Sequence, residues 1–317
     1  MKIVTSIEDL PVLRDAVLTI GNFDGVHRGH QKLFSWVKKH HGKTTVIMSF
    51  DLPTGFWLNK PDYRGEILPP ETKWRIFGVW GFDYAVRLAF TEIQTLSAVQ
   101  FLLQILNRIQ NPLIVVGEDF HFGKDRTGNI HLLSEWQKKY RFQLKVFPFV
   151  KLGGKVVSST AIRHAVAEGN MEYAMRLLGR AYVYEGELVE GDKIGQKIGF
   201  PTLNIAVGSQ VLPAEGVYAS WTLTDDGWHP SMSYVGYRPT VLGKDLRVES
   251  HVLDGAPVVG KRVACAFVKK IRDEKTFHNV EELKKMLYND RVRVLWTLRW
   301  YSLKKTMNGL EDKSLWL

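Results

Sequence analysis

Two histidines stand three residues apart in the stretch GNFDGVHRGH, residues 21–30, directly behind a glycine-rich turn. A turn of this kind, between a strand and a helix, offers backbone N–H groups and a helix N-terminus to phosphate oxygens. Gly21, Gly25 and Gly29 permit close backbone approach or positive φ, and His27 and His30 can point at one anion. In nucleotidyl transfer an oxygen attacks the α-phosphorus and displaces pyrophosphate. Charge then builds on the equatorial and leaving oxygens, and donors already aimed there lower the barrier without a covalent intermediate. Two other readings stay open at this point. A zinc pair lacks a third ligand nearby and the H-E-x-x-H spacing. A bare pair of surface histidines needs no chemistry.

A second stretch, GDKIGQKIGFPTLNI at 191–205, carries Gly191, Gly195 and Gly199 with Lys193 and Lys197. It is not a P-loop, because the G-x-x-x-x-G-K-[ST] order is missing. Its glycines let the backbone wrap a nucleotide phosphate, and either lysine adds charge. Thr202 and Asn204 lie on one side of an extended chain, so both oxygens reach the same hard cation. A plain hairpin with a Gly-rich loop is the other reading.

The elements that position these residues follow two grammars. Up to about Arg180, strand-like runs (AVLTIGNF, TTVIMSF, YAVRLAF, PLIVVGEDF, FQLKVFPFV) alternate with helical patterns. One helix, SAVQFLLQILNRI, has Ser97 as its cap. Such alternation predicts a parallel sheet with helices on its faces. From 181 to 271, short β-rich segments divided by glycines predict a small barrel or sandwich, and a helix follows at about 280–304. The expected boundary is at 180–184, with domains at 1–180 and 184–310.

Composition narrows the class. The 317 residues are 45% hydrophobic and 24% charged, with no low-complexity tract and no uninterrupted apolar run long enough to span a bilayer. The N-terminus lacks the apolar region of a secretory signal. Cys265 is the only cysteine, so neither an internal disulfide nor a multi-cysteine metal site is available, and its apolar neighbours predict a buried small hydrophobe. These features fit a cytoplasmic protein with no membrane partner. The net charge of +10 suits either a nucleic-acid or membrane surface or a basic enzyme of polyanionic ligands, and charge alone leaves that choice open.

GNFDGVHRGH resembles the GxFDGxHxGH signature of the bacterial bifunctional riboflavin kinase/FAD synthetases. VVGEDFHFGKDRTGN (115–129) is similar to that family's GxDFxFGxxxxG loop, VSSTAIR (157–163) to its SSTxIR motif, and GDKIGQKIGFPTLN to its GDxxGxxxGFPTxN signature. LPAEGVYA, GYRPT, VESHVLD and IRDEKTF follow in the family's order. The resemblance implies a Rossmann-like nucleotidyltransferase domain followed by an antiparallel β-barrel kinase domain with a C-terminal helix. It implies that riboflavin and ATP give FMN, and that FMN and ATP give FAD and pyrophosphate, with Mg2+ required.

By the same resemblance Gly21, Phe23, Asp24, Gly25, His27, His30, Ser159, Thr160 and Arg163 hold the nucleotide of the adenylyl step. His27, His30 and Arg163 act in catalysis there, and a Ser/Thr-bearing helix start followed by arginine suits the triphosphate. Asp119, Phe120 and Gly123 contact its flavin. In the kinase, Gly191, Lys193, Gly199, Pro201, Thr202 and Asn204 bind nucleotide, Thr202 and Asn204 also hold Mg2+, Arg272 and Glu274 contact flavin, and Glu249 is the general base. The partners are then small molecules rather than nucleic acid, and the protein is a monomer or weak homo-oligomer. An HxGH relative that binds RNA is disfavoured by the missing KMSKS-like loop.

Three segments depart from the pattern. SFDLPTG replaces a T-F-[DE]-P-x-P segment on the flavin side of the adenylyl site, Tyr234 stands where the family has asparagine, and Val259 takes the place of a tyrosine. An adenylyltransferase whose kinase has lapsed is therefore the alternative expectation.

Overall fold

A computed structural model describes residues 1–39, 42–61, 63–191, 194–240 and 243–317. Lys193, one of the expected nucleotide ligands, lies outside the described residues. By packing, the chain forms two compact units. One comprises Met1–Tyr63 with Pro70–Val157, the other Arg64–Pro69 with Ser158–Leu317.

The first unit is built on a six-stranded sheet in the order Lys2–Val4, Tyr84–Leu88, Thr45–Phe50, Val17–Ile20, Leu113–Gly117, Gln143–Phe147, and every pairing is parallel. Val17–Ile20 is buried at all four positions, as a central strand covered on both faces requires. Helix Arg28–Lys38 turns Leu33, Phe34 and Val37 to the core. Helix Ala98–Arg108 opens on the expected Ser97. The Ser97 hydroxyl accepts from the Gln100 backbone N–H, and the Gln100 side chain accepts from the Ser97 N–H at 2.9 Å, a reciprocal cap. Asp83 secures the start of Thr45–Phe50, accepting from the Thr45 N–H at 2.8 Å and its hydroxyl at 2.7 Å.

The second unit carries a closed barrel of antiparallel strands: Tyr182–Val189, Leu203–Ile205, Gly243–Val252, Gly227–Thr240, Gly216–Thr224 and Arg262–Arg272. Closure leaves no free sheet edge. The interior contains a hydroxyl network. Ser220 meets Ser233 at 2.8 Å, Thr222 meets Ser250 at 2.6 Å, and Ser233 also reaches Ser250 at 3.1 Å and the Cys265 thiol at 3.0 Å. Cys265 is fully buried as expected, and burial pushes its thiol up to about 11. It is therefore an unreactive member of a polar network rather than one more apolar filler.

Helix Val280–Trp300 packs on the outside of the barrel. Asn279 caps it, accepting from the Glu282 N–H at 2.8 Å. Its buried positions are Asp290, Val294, Thr297 and Leu298, spaced i, i+4, i+7, i+8 along one face. Asp290, with no accessible surface, accepts from Arg272 Nε at 2.8 Å, which fastens the helix to the last barrel strand. Removing one partner of a buried pair strands the other charge. Asp290→Ala is expected to lower the unfolding free energy by about 3 kcal/mol in chemical denaturation. A loss below about 1 kcal/mol would show that the pair does not hold the helix.

Candidate active sites

In the first unit the chain leaves Val17–Ile20 and turns sharply through Phe23 (φ 47°), Gly25 (φ 79°) and Val26 (φ 41°). A phenylalanine and a β-branched valine in left-handed backbone are costly, on the order of 1–3 kcal/mol each. The turn holds because Phe23, Asp24, Gly25 and Val26 are all buried. Phe23 packs edge-on against His30, Phe34 and Phe77, with ring centroids 5.0–6.0 Å apart.

The turn delivers His27 to the N-cap of helix Arg28–Lys38. Its Nδ1 accepts from the His30 backbone N–H at 3.4 Å, which leaves the proton of the neutral ring on Nε2. The two imidazoles stack, with centroids 3.5 Å apart and planes 19° from parallel. His30 is half-buried as a residue, and its Nδ1 is buried with no hydrogen-bond partner among the described residues. Burial, then His27, then Lys73 hold the His30 pKa well below 6.5. At neutral pH the ring is uncharged and offers one N–H.

Lys73 was not among the expected site residues. It comes from helix Pro70–Val79, is almost fully buried, and donates to the carbonyls of Phe50, Asp51 (2.9 Å) and Asn22 (3.5 Å). Asn22 in turn exchanges hydrogen bonds with Thr54, and Asp51 accepts from Trp74 Nε1 at 2.8 Å and from Arg87 Nε at 2.9 Å. The departing SFDLPTG segment is thus tied on both sides to the histidine turn's neighbourhood. A sign of Lys73 was legible: it shares one helical face with Ile76 and Phe77, an unusual place for a solvated lysine.

The loop after Leu113–Gly117 is a tight hairpin in which His121–Phe122 pairs with Gly128–Asn129. Asp119 is exposed, Phe120 stacks on Phe122 at 5.4 Å, and Gly123 has φ 72°.

Ser159, Thr160 and Arg163 belong to the second unit, on helix Ser159–Ala167. The helix is capped by Ser158, one residue earlier than the expected pair. Arg163 is buried, and its Nε donates to the Gly65 carbonyl at 2.7 Å. The segment that carries Gly65 is bound into this unit by Glu66 and Ile67, which bond Val211 and Gln210.

The barrel brings together residues far apart in sequence. Leu203–Ile205 pairs with Gly243–Val252 so that Asn204 lies opposite Glu249, and Gly227–Thr240 pairs on the other side so that Tyr234 lies opposite Glu249. Val248 and Ser250 point into the barrel, which turns Glu249 outward. The Thr202 hydroxyl donates to Glu249 Oε2 at 3.1 Å. Gly191 makes room for this cluster, because a Cβ there would lie 2.2 Å from Asn204 Nδ2. The loop then folds into a short turn at Ile194–Lys197, closed by a 2.8 Å bond from the Phe200 N–H to the Gly195 carbonyl, and Gly199 follows at φ 85°. Exposed Pro201 gives its carbonyl to His251 Nδ1 at 2.7 Å.

Arg272 and Glu274 take different roles. Arg272 turns to Asp290 and to the Asp273 carbonyl (3.0 Å), while Glu274 is exposed. Asp290 was missed as a contributor, though a carboxylate within a buried helical stripe signalled it.

The uncharged state of His30 has a pH consequence. A group whose folded pKa is depressed below 6.5 binds its proton more readily in the unfolded chain. Its contribution to stability is full above that value and falls as the pH drops below it. Melting temperature is expected to fall between pH 7.5 and pH 5.5 more steeply for the wild type than for His30→Gln. Equal slopes would mean that His30 is not held neutral by its surroundings.

The chain matches the FAD synthetase family over residues 10–161 and the Riboflavin kinase family over residues 178–297. The bifunctional riboflavin kinase/FMN adenylyltransferase of Buchnera aphidicola subsp. Acyrthosiphon pisum is 35% identical to it over 302 residues, covering 92% of this chain and 96% of that protein. The enzyme of the same description from Escherichia coli (strain K12) is 34% identical with the same coverage. A solved structure described as a macrolide-efflux protein from Streptococcus pneumoniae superposes with a TM-score of 0.82 at 28% identity, covering 92% of this chain and 98% of that one. Among the described residues of the present chain, no helix is long and apolar enough to cross a membrane. Two matched domains in order, with the histidine turn in one and the Thr202–Glu249 cluster in the other, place the chain in the bifunctional riboflavin kinase/FMN adenylyltransferase family.

Proposed function

We propose that this protein phosphorylates riboflavin with ATP to FMN and adenylylates FMN with a second ATP to FAD and pyrophosphate. Residues 184–310 carry the first step and residues 1–180 the second. The observation that carries this reading is the convergence of Thr202, Asn204 and Glu249 at one place on the barrel wall. It supports an intact kinase against the alternative of a lapsed one.

In the kinase step Glu249 takes the proton of the ribityl 5′-hydroxyl as that oxygen attacks the γ-phosphorus, and ADP leaves with the electrons of the broken P–O bond. The Thr202 hydroxyl now bonded to Glu249 holds the carboxylate in place until substrate arrives. Gly191, Lys193, Gly199 and Pro201 shape the nucleotide loop, and Arg272 and Glu274 border the flavin. The donor set at Thr202 and Asn204 suits a hard divalent cation such as Mg2+. Among the described residues no cluster of three or more His, Cys, Asp or Glu side chains could hold a metal alone, so phosphate oxygens would complete the shell. Bound there, the cation would neutralise charge on the phosphates.

In the adenylyl step an FMN phosphate oxygen attacks the α-phosphorus of ATP and pyrophosphate departs. His27 and His30 donate to the triphosphate, together with the turn Gly21, Phe23, Asp24 and Gly25. Ser159, Thr160 and Arg163 supply further donors and one fixed charge. Asp119, Phe120 and Gly123 bound the flavin. The depressed pKa of His30 supports a role as a neutral N–H donor. We assign the protein to the cytoplasm, as a monomer or weak homo-oligomer whose partners are small molecules rather than nucleic acid.

Separate sites predict separable losses. Glu249→Ala should reduce FMN formation from riboflavin at least about a hundredfold while sparing FAD formation from supplied FMN. His30→Ala should do the reverse, so that FMN accumulates. Chromatography of the flavin products distinguishes them. Loss of both reactions from either change, in a protein that still folds, would overturn the assignment.

A further inference from the structure

The segment Arg64–Pro69 packs with the second unit, although the chain on either side of it belongs to the first. Its backbone lies alongside residues 209–211. The Glu66 N–H donates to the Ser209 carbonyl at 3.3 Å, and the Glu66 carbonyl accepts from the Val211 N–H at 3.0 Å, a parallel bridge between Glu66 and Gln210. Gly65 makes this close approach possible. Its φ is 114°, and a Cβ there would collide with the Ser209 carbonyl oxygen and lie 2.8 Å from the Val211 nitrogen.

Side chains lock the two stretches together. The Glu66 carboxylate is buried and accepts from the Ser209 hydroxyl. Buried Gln210 donates through Nε2 to the carbonyls of Ile67 at 3.3 Å and Val183 at 3.0 Å, and its Oε1 accepts from the Glu185 N–H at 2.9 Å. Val183 and Glu185 belong to barrel strand Tyr182–Val189, so the strap is fastened to the barrel wall. From that anchored segment the Gly65 carbonyl accepts from Arg163 Nε at 2.7 Å. A guanidinium is a planar fork, and a bond to its Nε fixes the plane in which its η-nitrogens lie. Arg163 is buried, so giving up this bond is costly for a charge removed from water.

We propose that the Arg64–Pro69 strap is a positioning element of the adenylyl step: it holds the Gly65 carbonyl that sets the plane of the Arg163 guanidinium. The inference rests on the adenylyl reading above, in which Arg163 supplies its fixed charge to the triphosphate. It adds Gly65, Glu66, Ser209 and Gln210 as positioning residues. Ser209 and Gln210 fall within the stretch that matches the Riboflavin kinase family. A change there is therefore expected to damage adenylylation and spare phosphorylation, the reverse of what its place in the sequence suggests.

The test is a double-mutant cycle of Gly65→Ala with Arg163→Lys, which keeps the charge without the planar fork. On its own, Gly65→Ala should lower kcat/KM for ATP in FAD formation from FMN about tenfold, the effect of displacing one hydrogen bond to a charged group, with FMN formation from riboflavin within about twofold. Added to Arg163→Lys, it should cost less than about twofold, since the strap acts through the arginine. The same loss in both backgrounds, no loss in the first, or a parallel loss of both reactions would overturn the inference. Should Gly65→Ala fail to fold, Ser209→Ala decides, because it removes only the hydroxyl bonded to Glu66. It should slow FAD formation about threefold and leave FMN formation unchanged. Unchanged FAD formation, or an equal fall in both reactions, would overturn the strap. Failure of the underlying reading looks different. A wild type that makes no FAD from supplied FMN, or an Arg163→Lys variant as active as the wild type, would overturn the role of Arg163 and the inference with it. Impaired Arg163→Lys beside unimpaired Gly65→Ala would overturn the strap alone.

Discussion

Strand register is the constraint on which the barrel's chemistry rests. Asn204, Glu249 and Tyr234 form one row across three neighbouring strands. A slip of one residue in either pairing would carry Glu249 into the interior and put Val248 or Ser250 in its place. The interior is built to resist that slip. Ser233 and Ser250, the neighbours of Tyr234 and Glu249, are fully buried and bonded to each other, to Ser220 and Thr222, and to Cys265. Buried hydroxyls lose heavily when unpaired, so a network that is satisfied in only one register specifies it more sharply than aliphatic side chains would. The polar core and the outward catalytic row are two faces of the same pairing.

The first unit reaches its phosphate-handling groups by a different device. A fully buried parallel strand ends in a turn with two strained non-glycine residues, and aromatic packing around Phe23 compensates for that strain. The result is a helix N-terminus whose cap is itself a histidine, stacked on the next histidine of the motif. Lys73 gathers the carbonyls of Asn22, Phe50 and Asp51, where strands Val17–Ile20 and Thr45–Phe50 give way to loops. Burial, then His27, then the charge of Lys73 hold the His30 pKa low, so its ring is uncharged at neutral pH.

Much of this was legible in the sequence. Alternating strand and helix patterns gave the parallel sheet, the glycine-divided β segments narrowed the second unit to a barrel or sandwich, and the capping residue Ser97 fixed a helix start to the residue. The motif histidines, Thr202 and Asn204 stood out by type and spacing, whereas Glu249 could be named only through the family resemblance. What stayed hidden were partners set by tertiary packing. Nothing in ETKWRIF says which carbonyls Lys73 will meet, and nothing near Asp290 names Arg272 as its partner. Arg272 was expected at the flavin from its motif, and its bond to Asp290 is a further partner that the motif does not name.

The account stands or falls on two consecutive ATP-consuming steps carried by one chain. The most direct measurement is a time course of the purified wild type with riboflavin, ATP and Mg2+, its flavins resolved by chromatography. The account predicts that FMN appears first and that FAD then forms at its expense, with pyrophosphate released in step with FAD. Riboflavin left unchanged while supplied FMN is converted to FAD would contradict the kinase assignment, and no conversion of either flavin would contradict the whole.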